Sequence, residues 1–325
     1  MTAWAHMCEV KERPAAGRFP KRRGTAKHGD WPDMKAQPFV RGLSFGEGVR
    51  WRDGRFWYSD FYKQHVASVD PDGSTRVEVR IDDQPSGLGW LPDGRLLVVA
   101  MKTQRLLRRE PDGRMVLHAD LKGFAKFHAN DMIVNSRGNA FIGCFGFDLD
   151  LFIEQHGVGP LFAEPGPPTA PILMVTPAGT VSIASPDHKF PNGMALIGNM
   201  LVVAECFIPG LTAFDVSPDG TLANRRAWAT LSNAPPAIVP DGICADSEGA
   251  VWAANALGPE VVRIAPGGKI LERVETSQNA YSCALGGANG RQLVIATASG
   301  SGAPVTAKQE SGMLEIAEVS VPAHA

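Results

Sequence analysis

Short apolar runs separated by Gly- and Pro-containing turns set the rhythm of this chain. Stretches such as "HVASVDPDGSTRVEVR" and "APILMVTPAGTVSIAS" place strand-length runs on either side of a tight turn, which is the pattern of a β-hairpin. The tripeptide PDG punctuates the chain at 71, 92, 111 and 218. The 35 Gly and 25 Pro fall in such small clusters, not in one tract, so many tight turns and many short strands are expected. The pattern predicts an all-β protein.

The hairpins repeat. Six segments share one plan: a polar or special residue, a small residue, a short apolar run, a turn and a second apolar run. They begin at GEGVRW (46), PSGLGW (85), ANDMIV (129), PNGMAL (191), PDGICA (240) and YSCALG (281). Alignment on the small residue makes Glu47, Ser86, Asn130, Asn192, Asp241 and Tyr281 equivalent, with separations of 39, 44, 62, 49 and 40 residues. A hairpin repeat of about 40 to 45 residues is that of a four-stranded propeller blade, so a six-bladed β-propeller over residues 37–325 is predicted. The early "PFVRGLSF" and the final "GMLEIAEVSV" can pair in one blade and close the ring without an exposed edge. Trp51, Trp57, Trp90 and Trp252 recur at strand positions as fillers between blades.

Composition narrows the function classes. A formal net charge of -2, with 20% charged residues, gives no bulk attraction to nucleic acid or to an acidic membrane, and a small-molecule partner is expected. No run of about 18 apolar residues occurs. Five cysteines without CxxC spacing read as reduced, and four of them, Cys144, Cys206, Cys244 and Cys283, lie in strand-like runs, so a cytoplasmic location is expected. Residues 1–36 lack either structural period; they read as a disordered or loosely docked tail, or as an extension upstream of a start at Met34. HExxH, phosphate-loop and GxGxxG motifs are absent.

In a propeller, equivalent residues at the starts of the innermost strands converge on one axis. Asn or Asp before Gly is ordinarily a turn or cap residue. Glu47 before Gly48 has no such turn role, and together Glu47, Asn192 and Asp241 offer the oxygen donors that a hard divalent cation requires. Three protein ligands leave coordination positions open, which suits catalysis: the metal would polarise a carbonyl while Asp241 accepts a proton from attacking water. Ca²⁺ is the first choice, with Zn²⁺, Mg²⁺ or Mn²⁺ compatible with the donors.

The segments "FGEGVRW", "NDMIVNSRGNAFIGCFGFD", "FPNGMAL" and "PDGICADSEGAVW" resemble the SMP-30/gluconolactonase/LRE-like family. The resemblance runs from about residue 38 onward and implies a six-bladed propeller that hydrolyses lactones with a divalent metal. It implies that Glu47, Asn192 and Asp241 bind the metal, that Asp241 is also the general base, and that Asn130 contacts substrate or its water. Where sugar-acid lactonases of that family carry Arg and Glu in contact with substrate, this chain has His128 and Asp148. The loss of the Arg argues against sugar lactones, and His128 stands either as a substrate hydrogen-bond donor or as a surface histidine. Ser86 completes the set of candidate substrate contacts.

The longest separation, 62 residues, marks an insertion at 147–171 next to the candidate site. Phe147, Leu149, Leu151, Phe152, Leu161 and Phe162 make it oily, and its Gly and Pro residues exclude one regular helix. It reads as a lid with Phe147 and Phe152 against substrate, which would favour aryl or alkyl lactones, or as a packed surface excursion. Two other functions fit the sequence: a non-enzymatic Ca²⁺-binding propeller that holds a ligand or partner, and a metal-dependent phosphotriesterase. A monomer or homodimer is expected.

Overall fold

A computed structural model describes residues 34–231, 237–301 and 303–324. Its strands form six sheets arranged as the blades of a propeller, all-β as the sequence pattern predicts. Blades one to six start with the strands Gly46–Arg52, Pro85–Trp90, Ala129–Val134, Pro191–Ile197, Pro240–Ala245 and Asn279–Gly286. Each of these six packs against the first strands of both neighbouring blades, so together they ring a central channel. The remaining strands of each blade follow outward in antiparallel order.

Local chemistry fixes the hairpins. In the PDG turns at 71, 92, 111 and 218 the glycines Gly73, Gly94, Gly113 and Gly220 adopt φ of 89°, 85°, 87° and 92°, where a side chain is strained. In each turn the Asp accepts from the backbone N–H two residues on, as Asp72 Oδ1 does from Ser74 at 2.9 Å and Asp219 Oδ1 from Thr221 at 3.0 Å. Apolar residues pack between blades: Trp57 of blade one meets Trp90 of blade two edge-on, with ring centroids 5.4 Å apart.

The ring closes as expected. Gln37–Leu43 joins blade six as its outermost strand, antiparallel to Gly312–Glu318, with Val40 opposite Leu314. Part of the segment expected to be tail differs from that expectation. Met34–Lys35 adds a parallel strand to the outside of blade five, pairing with Val274 and Glu275, and Ala36 is buried in the same core. The rest of the 1–36 segment lies outside the described residues.

The insertion folds as helix α1 (Leu149–His156) followed by a 3₁₀ turn at Gly159–Phe162. Asp148 caps α1, its Oδ1 accepting from the Leu151 N–H at 3.0 Å, and Gly157 ends it at φ 77°. Leu149, Ile153 and Leu161 are buried against Phe190 and Phe207 of blade four, while Leu151 and Phe162 stay exposed. Among the described residues no helix is long and apolar enough to cross a membrane.

Candidate active site

All six repeat residues sit where strand register breaks. Pairing slips between Glu47 and Arg50, Pro85 and Leu88, Ala129 and Met132, Pro191 and Met194, Pro240 and Ile243, and Ala280 and Ser282. A bulge at the head of an innermost strand re-aims the side chain there, away from the sheet and toward the channel. The glycines that follow let neighbouring strands touch backbone to backbone: a Cβ on Gly242 would lie 2.6 Å from Ser282 Cα, and one on Gly48 2.6 Å from the Ser86 carbonyl. The small residue of the repeat is therefore a packing requirement, and the polar residue before it is the one presented to the channel.

One mouth of the channel opens into a cavity of about 440 Å³, a size that suits a small organic ligand. Glu47, Asn130, Asn192, Asp241 and Tyr281, five of the six repeat residues, line it. Ser86 does not. It is buried behind Asn130, its Oγ donating to Asn130 Oδ1 at 3.3 Å, and this leaves the Asn130 NH₂ as the half of the amide available to a ligand.

Glu47, Asn192 and Asp241 are 7%, 4% and 1% exposed, so any charge here is largely desolvated. Burial first, then repulsion from Asp241 and Asp131, pushes the Glu47 carboxyl well above the usual carboxylate range. Burial and then Asp131 raise Asp241 likewise, against the opposing pull of the Asn192 amide. Asn192 Oδ1 and Asp241 Oδ1 have no hydrogen-bond partner although both are buried. Two desolvated carboxylates and an orphaned carboxamide oxygen facing one space are what an oxygen-coordinated divalent cation satisfies. Among the described residues no three His, Cys, Asp or Glu side chains form a metal-binding group, and the set here is completed by a carboxamide.

Neighbours hold these groups in place. Asn192 Nδ2 donates to Cys206 Sγ at 3.4 Å, and Cys206 in turn donates to the Pro240 carbonyl at 3.3 Å, so the amide is oriented with its oxygen free. Asp131, beside Asn130, is buried and paired at 2.8 Å with Arg50. It takes the place of the usual repeat glycine, a departure visible in the sequence. Cys206 carried no such signal.

His128 lines the cavity half-buried, stacked on Phe127 with ring centroids 4.0 Å apart. Burial, then the Lys102 ammonium, pulls its imidazole below the ordinary value, so it is neutral at pH 7. Asp148 also lines the cavity while capping α1. Phe147 and Phe152 do not line it: they pack on each other at 5.1 Å, and Phe147 continues onto Phe190 and Phe207. From the insertion, Leu149, Asp150, Leu151 and Glu154 face the cavity instead.

The rest of the wall is largely aromatic, with Gln84, Lys102 and Ser301 among its polar members, and much of it comes from strand ends. Phe45 and Phe190 stand just before an innermost strand, and Phe61, Met101 and Phe145 just after a second strand. Shifting the repeat alignment to those positions would have found them.

The profile of the SMP-30/Gluconolactonase/LRE-like region matches residues 45–299. L-arabinolactonase of Azospirillum brasilense is 25% identical over 259 residues, covering 79% of this chain and 82% of that protein. Human regucalcin is 28% identical over 144 residues, 40% of this chain and 48% of that protein. The solved structure of regucalcin from Agrobacterium tumefaciens, described as a calcium-binding protein, has the same fold: TM-score 0.71 at 18% identity, covering 90% of this chain and 96% of that one.

Proposed function

Because the chain belongs to the SMP-30/gluconolactonase/LRE-like family, we propose that it is a metal-dependent hydrolase that opens lactones at the mouth of its channel. The observation that carries this reading is the convergence of Glu47, Asn192 and Asp241, with two orphaned buried oxygens, on one cavity at the channel mouth. A similar relative is named for lactone hydrolysis and another for calcium, which supports both halves of the reading.

In this reading Glu47, Asn192 and Asp241 hold one divalent ion, with Ca²⁺ the first choice. When bound, the ion supplies Lewis acidity toward a carbonyl and neutralises the two carboxylates. Asp241, through the carboxylate oxygen not given to the ion, would take the proton of the attacking water. Asn130, fixed by Ser86, donates from its NH₂ to the ester group, and neutral His128 offers a hydrogen bond farther out. Phe45, Phe61, Phe127, Phe145 and Tyr281 keep water away from the reacting group, and α1 covers the cavity as a lid. The aromatic side chains of the wall desolvate a ring or an alkyl chain at little cost, so aryl and alkyl lactones are the favoured class.

The test is hydrolysis of dihydrocoumarin, alkyl lactones, sugar lactones and a phosphotriester by metal-stripped protein reloaded with each divalent ion. We expect metal-dependent turnover, highest on aryl or alkyl lactones, falling at least about 10²-fold in Asp241→Asn. Faster phosphotriester cleavage would reassign the reaction, and tight metal binding without turnover would mark a binding protein.

A further inference from the structure

The far end of the channel carries a second arrangement, unused by the proposed chemistry. Cys244 stands near the end of the blade-five strand Pro240–Ala245, and Cys283 in the blade-six strand Asn279–Gly286. Their sulfurs are 3.9 Å apart across the boundary between the two blades. Cys283 is fully buried, its Sγ within 3.6 Å of the Gly242 and Trp252 carbonyls. Cys244 is half-buried and lines a cavity of about 220 Å³ together with Arg50, Ile133, Met194 and His324. That cavity is built from the later residues of the innermost strands, whereas the candidate active site uses their first residues, so it opens at the opposite mouth.

We propose that Cys244 and Cys283 close reversibly to a disulfide that clasps blade five to blade six. Sulfurs in van der Waals contact need a shift of under about 2 Å to reach bonding distance. Both cysteines border a cavity that admits a small oxidant, and they differ in exposure, Cys244 being half-buried and Cys283 fully buried. Cys244, the more exposed of the two, reacts first, and the neighbouring Cys244 sulfur, then burial, push the Cys283 thiol well above its ordinary value.

With a peroxide as oxidant the step balances. The Cys244 sulfur attacks one peroxide oxygen, the O–O bond breaks, and Cys244 becomes a sulfenic acid while the other oxygen leaves as water. The Cys283 sulfur then attacks the Cys244 sulfur, the S–O bond breaks, and the oxygen departs as a second water with the proton of Cys283. Two thiols are oxidised and one peroxide is reduced. Cys144 and Cys206 are buried, and among the described residues no second cysteine sulfur lies against either, so they are expected to remain thiols.

The experiment exposes the full-length protein to graded hydrogen peroxide, blocks remaining thiols with N-ethylmaleimide, and maps the peptides by mass spectrometry. The expected product is one intramolecular link between Cys244 and Cys283, reopened by dithiothreitol, with a melting midpoint several degrees above that of the reduced sample. Cys244→Ala, at a half-buried position, should lose the link and leave Cys283 unmodified. Cys244 recovered as sulfinic acid beside a free Cys283 thiol, a link to any other cysteine, or a disulfide that leaves the midpoint unchanged would each overturn the clasp.

Discussion

Cys206 illustrates how much of the site depends on single atoms outside the donor set. Its sulfur accepts from the Asn192 amide N–H and donates its S–H to the Pro240 carbonyl, next to Asp241. Cys206→Ala removes the group that fixes the carboxamide while leaving all three candidate donors in place. Metal affinity, read by isothermal titration, should fall about 10-fold, within the range for residues that orient ligands, with the fold intact by circular dichroism. An unchanged affinity would show that backbone alone sets the amide. At this scale the sequence was legible only through its repeat. PDG occurs at Pro240–Gly242 as it does in the four hairpin turns, yet here it heads a strand and Asp241 points into the channel. Alignment with GEG and PNG separates the two uses, and no property of the tripeptide does. Cys206, Gln84 and Lys102 were not legible, because nothing local distinguishes a residue beside a cavity from one in the core.

Among the elements, the bulged head of each innermost strand does most to shape the site. Gly193 and Gly242 sit where a side chain would run into the next blade's backbone. Gly242→Ala should therefore cost about 1 to 3 kcal/mol, the range for overpacking a tight core, and should also move Asp241. Thermal melting reads the first effect, and metal titration the second. A stable variant with native affinity would mean that the strands can part without consequence. The bulges themselves were not legible, since an extra residue in one strand is defined only by its partner strand. The insertion was partly legible. Its oily composition and its broken helix follow from the sequence. Leu149, Leu151, Phe152 and Ile153 spread over more than half of the helix circumference, however, so their spacing does not tell that Phe152 packs on Phe147 while Leu151 and Glu154 face the cavity.

For the whole molecule, acid should act through histidines far from the site as well as in it. Burial holds His65 and His118 below the ordinary imidazole value. The unfolded chain, titrating near pH 6.5, therefore binds protons that the folded one refuses, and stability falls as pH drops through that value. Between about pH 7.5 and 5.5 the melting midpoint should fall by a few degrees more in the native sequence than in a variant with both residues changed to Asn. Equal losses would show that neither imidazole is held neutral by the fold. The propeller as a whole was the most legible feature of all, because a repeat advertises itself six times.

The strand Gln37–Leu43 pairs with Gly312–Glu318, almost the full length of the chain away. It leaves the ribosome early and finds its place last. Until Gly312–Glu318 has been made, blade six cannot be finished and two strand edges stay open, so ring closure is set to be a late event in folding. A premature stop within any blade would produce a ring that never shuts, with a sticky edge on each side of the gap. The same pairing that seals the finished molecule thus acts as its test of completeness.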